Sequence, residues 1–241
     1  MKIVIITAMP EESGAVLKGA KKSEKSLFSG RKRFHAHIGG HDLDLVEAGM
    51  GMLNAGWAAT ALAAEQPDLM ISAGFGGAVL PGLSVGDVVA AQQVLHWSGS
   101  EFEEIAVGFY GRNTVADELS FARGTFISCD LILDKRSLGP KLPPGAANPV
   151  VEMESAAIAR VAAAHGIPFL GLRTISDPWN EELDFSIDEF CDDTMQIRPV
   201  KVLATILRRP RIIPQLIRLA RNSRVAAAGL ANAMKRLLHQ I

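Results

Sequence analysis

The 241-residue sequence predicts an α/β fold, a mostly parallel or mixed sheet covered by helices on both faces. Three observations carry this expectation. Short runs rich in Ile, Val and Leu recur along the chain, and alanine-rich stretches with helical spacing alternate with them. The composition, 48% hydrophobic and 21% charged, is enough for one domain with a substantial core.

The elements follow in order. Met1 to Ala8 (MKIVIITA) contains a strand over residues 3–7 and runs directly into Met9-Pro10-Glu11-Glu12 and a helix over 12–19. Residues 34–38 and 43–47 read as two strands joined through Gly39-Gly40, and 53–65 as an alanine-rich helix. Strands are expected at 69–73, 87–94 and 125–128, and a loop from Gly139 to Pro149. Glu154 opens a helix in which Ala156, Ala157, Ile158, Val161 and Ala162 recur with helical periodicity until Gly166. Residues 168–174 form a buried strand whose end presents Asp177.

Charge is unevenly distributed. Residues 198–241 hold ten basic residues and no acid, whereas residues 1–197 hold 15 basic against 26 acidic, a formal −11. Cys129 and Cys191 are too few and too far apart for a disulfide framework, which points to a reducing compartment. No run approaches the roughly 20 apolar residues of a membrane span, so a cytoplasmic protein is expected. His35, His37 and His41 lack the acid or Cys partners of a metal site and read as strand histidines; neither a metal nor a cofactor is expected, nor a nucleic-acid partner.

The chemistry is concentrated at three points. Glu154 and Asp177 lie at opposite ends of one helix-and-strand unit, where an open α/β sheet holds its ligands, and the first strand also ends in acids, Glu11 and Glu12. Read singly, Glu154 is equally a capping residue and Asp177 a turn residue before Pro178. Taken with Ala48-Gly49-Met50-Gly51, Ser72-Ala73-Gly74-Phe75-Gly76-Gly77, Val85-Gly86-Asp87-Val88-Val89, Ser128-Cys129-Asp130, VEMES (151–155) and RTISD (173–177), these segments closely resemble the nucleoside phosphorylase and nucleosidase superfamily, most nearly the methylthioadenosine/S-adenosylhomocysteine nucleosidases.

That resemblance implies a three-layer α/β/α sandwich, here residues 1–197, and a homodimer; the basic helical segment over 198–241 extends the chain beyond what those nucleosidases carry. It implies cleavage of the N-glycosidic bond of a purine nucleoside. The oxocarbenium-like state of that reaction needs negative charge near the sugar, a nucleophile on its far face and a proton on the departing base. By resemblance Asp177 protonates purine N7, Glu12 orients and deprotonates the attacking water, Glu154 accepts hydrogen bonds from the ribose hydroxyls and Met153 packs against the sugar. Phe75, Gly77 and Ser176 fall within motifs that line the substrate site. Ile132 and Leu133 match positions that bracket the purine, or are ordinary core residues after a strand; Arg173 holds Asp177 or senses the ligand, or forms a salt bridge within its loop. An Asp at position 177 resembles the members that act on adenine, because a protonated carboxyl donates to N7 while its other oxygen accepts from the amino group.

Water is the expected nucleophile. No basic residue precedes Lys18 in the first loop, and Phe75 stands where these enzymes commonly carry Ser or Thr, both unfavourable to a phosphate dianion. Phosphorolysis is the alternative, and a non-catalytic nucleoside- or membrane-binding member a third. Two departures complicate the resemblance: the stretch between His96 and Arg123 is short, apparently missing a helix, and the tail from Arg208 to Arg221 resembles that of hopanoid-associated phosphorylases, thought to act on an adenosyl-lipid. In that tail Ile212, Ile213, Leu216, Ile217 and Ala220 share a face opposite Arg211, Arg218, Arg221 and Arg224, a basic amphipathic helix able to lie on anionic lipid or to pack on protein. Trp97, Phe102, Phe109 and Tyr110 form a lid over the sugar substituent or an interface.

Overall fold

A computed structural model describes residues 1–111, 118–131, 135–181, 190, 202, 204–205 and 208–241. In chain order the elements are β1 (Lys2–Thr7), α1 (Pro10–Leu17), β2 (Ser23–Phe28), β3 (Arg31–Ile38), β4 (His41–Glu47), α2 (Met52–Ala63), β5 (Leu69–Ala78), β6 (Val88–Trp97), β7 (Phe102–Glu104), β8 (Ala122–Cys129), α3 (Lys135–Leu138), β9 (Val150–Glu152), α4 (Ser155–Ala164), β10 (Phe169–Asp177) and α5 (Ile213–Gln240).

The strands form one mixed sheet in the order β10-β6-β8-β9-β5-β1-β4-β3-β2, with β7 on β6. β10 also pairs with β5 in parallel, so β5, β10, β6, β8 and β9 close on themselves while β1, β4, β3 and β2 extend as an open wing. Strand β5 sits where ring and wing meet, and every one of its ten residues is buried. A strand covered on all sides reads as an apolar or glycine run, which LMISAGFGGA is but for Ser72, whose hydroxyl is paired with Ser155 and Arg173.

Side chains that alternate along the wing strands separate two cores. Ile3 and Ile5 of β1 face Ala15 and Val16 of α1 and the buried stripe Ala226, Leu230, Met234 and Leu237 of α5. Val4 and Ile6 face Ala55, Ala58, Ala59 and Leu62 of α2 and Ala156, Ile158, Ala159 and Ala162 of α4. Helices therefore cover both faces, the three-layer α/β/α sandwich. Small alanines on α2 and α4 let these two helices lie close to each other and to the sheet.

Several elements differ from the sequence expectation. β2 (SEKSLF) is an exposed edge strand with no apolar alternation, held by its ladder to β3 rather than by burial. Residues 139–141 of the expected loop form a 3₁₀ turn. The short stretch after His96 carries β7, and residues 112–117 within it lie outside the described residues. Its described aromatic residues pack on neighbouring strands. Trp97 is buried beside Leu95, Ile127 and Leu138 and packs on Phe102 at 4.5 Å, while Phe109 pairs with Phe169 at the start of β10, the end far from Asp177. Tyr110 follows it, its N–H donating to the Phe169 carbonyl at 2.8 Å.

The tail helix is largely integral to the fold. Leu237 and Leu238 are fully buried, and at Gly39 (φ +62°) a Cβ would fall 1.7 Å from the Leu238 carbonyl oxygen, so only glycine fits the turn between β3 and β4. Residues 213–225 of the same helix are more open, with Ile213, Ile217 and Val225 exposed. No helix among the described residues is long and apolar enough to cross a membrane.

Candidate active site

Glu12 lies in the first turn of α1, directly after β1. Its Oε2 accepts the N–H groups of Ala8 (2.8 Å) and Met9 (3.0 Å), and its Oε1 accepts that of Phe75 (2.8 Å). These three backbone donors fix both oxygens of a buried carboxyl. Burial raises its pKa, against Arg173 and those donors, so it is poised to take up a proton. A Cβ on Gly74 would stand 2.5 Å from Glu12 Oε1, so the glycine leaves the carboxyl its space. Phe75 serves through its N–H; its ring belongs to the core.

Glu154 stands at the N-terminus of α4 without capping it. The cap is Glu152, whose Oε2 accepts the N–H groups of Glu154 (3.1 Å) and Ser155 (2.8 Å) while Ser128 donates to its Oε1. Glu154 Oε1 instead accepts the N–H of Gly51 at 3.0 Å, tying the loop after β4 to the loop after β9. Glu152 was not singled out from the sequence; the E-x-E spacing in VEMES is the signal that marks it.

Arg173 on β10 is almost completely buried and donates through Nη2 to Glu152 and, at 3.1 Å, to Ser72, with Glu154 at 3.5 Å. It does not hold Asp177. Four strand residues, about 13 Å, separate the two positions, and the guanidinium is paired instead with Glu152, at the end of β9 across β5. Burial raises the pKa of Glu154 to about 7, with the charge of Glu152 adding to it. For Glu152 burial is outweighed by Arg173, Ser128 and the capping N–H groups, which hold its pKa below the ordinary carboxylate value.

A pH dependence follows. Between the ordinary 4.5 and about 7, Glu154 keeps a proton in the folded chain that the unfolded chain has lost, so its contribution makes stability fall as pH rises through that window. Glu12 acts in the same direction, whereas the stability from Glu152 is present above the ordinary value and lost as pH falls. In urea titrations Glu154→Gln is expected to flatten the loss of stability between about pH 4.5 and 7; a slope identical to that of the wild type would show that Glu154 ionises as freely folded as unfolded.

Asp177 ends β10 after a bulge and lies opposite Gly77 of β5. Ser176 donates to its Oδ1 at 2.8 Å and Lys135 to its Oδ2. A Cβ on Gly77 would meet Asp177 Oδ2 at 2.4 Å, the same clearance seen at Gly74. Met153 is half-buried beside Glu154. Ile132 and Leu133 lie outside the described residues. Gly74 beside Glu12 and Gly77 beside Asp177 are three residues apart on β5, about 10 Å along the strand.

A family model described as the phosphorylase superfamily matches residues 2–114 and 104–208. The chain belongs to the phosphorylase superfamily. Within it, this superfamily member is 30% identical over 220 residues to a 5'-methylthioadenosine/S-adenosylhomocysteine nucleosidase of Listeria monocytogenes serotype 4b, covering 79% of this chain and 92% of the relative. It is 27% identical over 233 residues to the nucleosidase of the same name from an Exiguobacterium strain, with 87% and 98% covered. Two solved structures share the phosphorylase-superfamily fold. One is an S-adenosylhomocysteine nucleosidase of Streptococcus pyogenes in complex with 5-methylthiotubericidin, with TM-score 0.75, 21% identity and 100% and 97% coverage. The other is a futalosine hydrolase of Helicobacter pylori, with TM-score 0.75, 18% identity and 100% and 98% coverage.

Proposed function

We propose that this protein hydrolyses the N-glycosidic bond of an adenine-type purine nucleoside and releases the free base. The observation that carries this reading is that β5 holds both acids, Glu12 at Gly74 and Phe75 and Asp177 at Gly77, with Glu154 close enough to Glu12 for its charge to be felt. The nucleosidase relatives support methylthioadenosine and adenosylhomocysteine as substrates. Glu12, its oxygens aimed by three N–H groups, orients a water and accepts its proton as the oxygen attacks C1'. Glu154 accepts hydrogen bonds from the ribose hydroxyls, and Asp177 delivers a proton to N7 so that the purine leaves neutral. As positive charge develops on the sugar, the acids nearby stabilise it, a field present before the reaction begins.

The same field supports water over phosphate. Arg173, the cation that bears on Glu12 and Glu154, is already committed to Glu152 and Ser72, and the Phe75 side chain offers no hydroxyl. A dianion about 4 Å from a carboxylate would meet repulsion on the order of several kcal/mol at an intermediate dielectric. Incubation with methylthioadenosine, adenosylhomocysteine, adenosine and inosine, with and without phosphate, is expected to yield free adenine and a free sugar from the adenine substrates at a rate indifferent to phosphate. A sugar 1-phosphate that accumulates with rising phosphate overturns the hydrolytic reading. No base release from any of the four would leave a nucleoside- or surface-binding protein.

The exposed apolar side chains support a homodimer and a peripheral membrane contact for a cytoplasmic protein. Leu53, 92% exposed, and Trp57 on α2, with Leu27 nearby in sequence to the Phe28 ring that stacks on Trp57, give a second copy of the chain an apolar surface to cover. Light scattering reads the mass. On α5, Ile213 and Ile217 beside Arg211, Arg221 and Arg224 suit an anionic lipid surface, each base near the surface being worth about 1 kcal/mol. Because Ala226 to Leu238 belong to the core, the test is Ile217→Glu with Arg221→Glu rather than a deletion: vesicle flotation should be lost and turnover kept. A wild type that ignores anionic vesicles sinks the membrane contact.

A further inference from the structure

The buried ammonium of Lys135 has no place in the reaction described so far. It sits on the four-residue helix α3, 6% exposed, and donates both to Asp177 Oδ2 and to the Pro178 carbonyl at 2.7 Å. The other Asp177 oxygen accepts the Ser176 hydroxyl. Both carboxylate oxygens therefore accept hydrogen bonds, and the donor to Oδ2 is an amine N–H. A surface lysine would not raise the question, since exposed pairs are commonplace and weak; this one is enclosed and points at the group that must act as an acid.

We propose that Lys135 is the source of the proton that Asp177 passes to the departing purine. The inference rests on the reading of Asp177 as the proton donor to N7. The proton passes first from Nζ to Oδ2, where Nζ–H breaks and Oδ2–H forms, and then from Oδ2 to the purine, where Oδ2–H breaks and N7–H forms as the C1'–N9 bond breaks and its electron pair goes to the base. Lys135 is left as a neutral amine. The proton that Glu12 takes from the attacking water balances the one that Lys135 gives, and exchange with solvent returns both groups to their starting states. Two features suit the amine to this part. A purine anion is a base of amine strength, so an ammonium is matched to it as a donor, and the Pro178 carbonyl keeps Nζ in place when its bond to Oδ2 is consumed. Lys135 acts through Asp177 and does not touch the substrate.

The test separates a mobile proton from a fixed positive charge. Arginine carries the charge and can donate hydrogen bonds but does not release a proton. Wild type, Asp177→Asn, Lys135→Met, Lys135→Arg and Lys135→Gln are compared for adenine release from methylthioadenosine, with KM and melting temperature measured for each. Each Lys135 variant is expected to lose about 10²-fold or more in kcat with KM little changed, and Arg is expected to rescue no better than Met. If Arg does not fit the enclosed position and lowers the melting temperature, Gln, which is shorter and keeps a donor without the charge, asks whether a hydrogen bond alone is enough. An Arg or Gln variant that is folded and within tenfold of wild-type kcat overturns the proposal, while wild-type release that is lost in Asp177→Asn leaves the hydrolytic reading standing. A wild type that releases no adenine removes both.

Discussion

Asp177→Asn is expected to lower adenine release by about 10²- to 10⁴-fold, the usual worth of a general acid, while leaving the fold intact. The amide keeps an acceptor oxygen, and the site around it, Ser176, Lys135 and the clearance at Gly77, accommodates an isosteric side chain. What it lacks is any proton to give. Steady-state kinetics beside a denaturation curve distinguish this outcome from simple misfolding. Retention of more than half of the wild-type kcat would show that the proton reaches N7 by another path.

The largest effect on stability is expected at Arg173. Its guanidinium is enclosed among Glu152, Glu154 and Ser72 and lies over the Phe126 ring, 5.7 Å from its centroid. Arg173→Met fills much of the same volume but leaves two buried carboxyl groups without their cation. Removal of one partner of a buried ion pair costs about 3–5 kcal/mol, a large share of the roughly 5–15 kcal/mol available to a domain. A marked fall in the urea midpoint is expected, easing in acid as Glu152 takes a proton. Arg173→Lys should recover only part of it, because a single ammonium cannot reproduce the planar group that reaches Glu152 and Ser72 through Nη2 and the Leu172 carbonyl through Nη1. A loss below about 1 kcal/mol for the Met variant would mean that the carboxyl groups rearrange to solvent.

The parts of this molecule that were legible in the sequence are those whose residues face the same environment along their whole length. β1, β5 and the first half of β10 are buried on both faces and read as largely apolar runs. β2 was invisible, since its six residues are polar or exposed and only the partner strand makes it a strand. β9 has three residues, too few for any period. Glu12, Glu154 and Asp177 stood out because each closes a legible strand or opens a legible helix. Lys135 did not, because it follows a stretch without periodicity and meets Asp177 across 42 positions of sequence. The split role of Phe75, backbone at the site and ring in the core, is likewise a matter of strand direction that no residue identity encodes.

Helix α5 gives the chain a late-arriving wall. Ala226, Leu230, Met234, Leu237 and Leu238 share one apolar cluster with Ile3, Ile5, Ile38, Leu43 and Leu45, residues made some two hundred positions earlier. During synthesis one face of the wing therefore emerges with its covering still unmade, and it waits, sticky and exposed, until the final helix is free to dock. Contacts of such sequence separation are slow to form and favour association with other chains in the interval. Newly made protein is thus a natural client for chaperones that shield apolar strands. Substitutions that weaken α5 should lower yield in cells through lost nascent chains well before they are felt in the chemistry of the finished site.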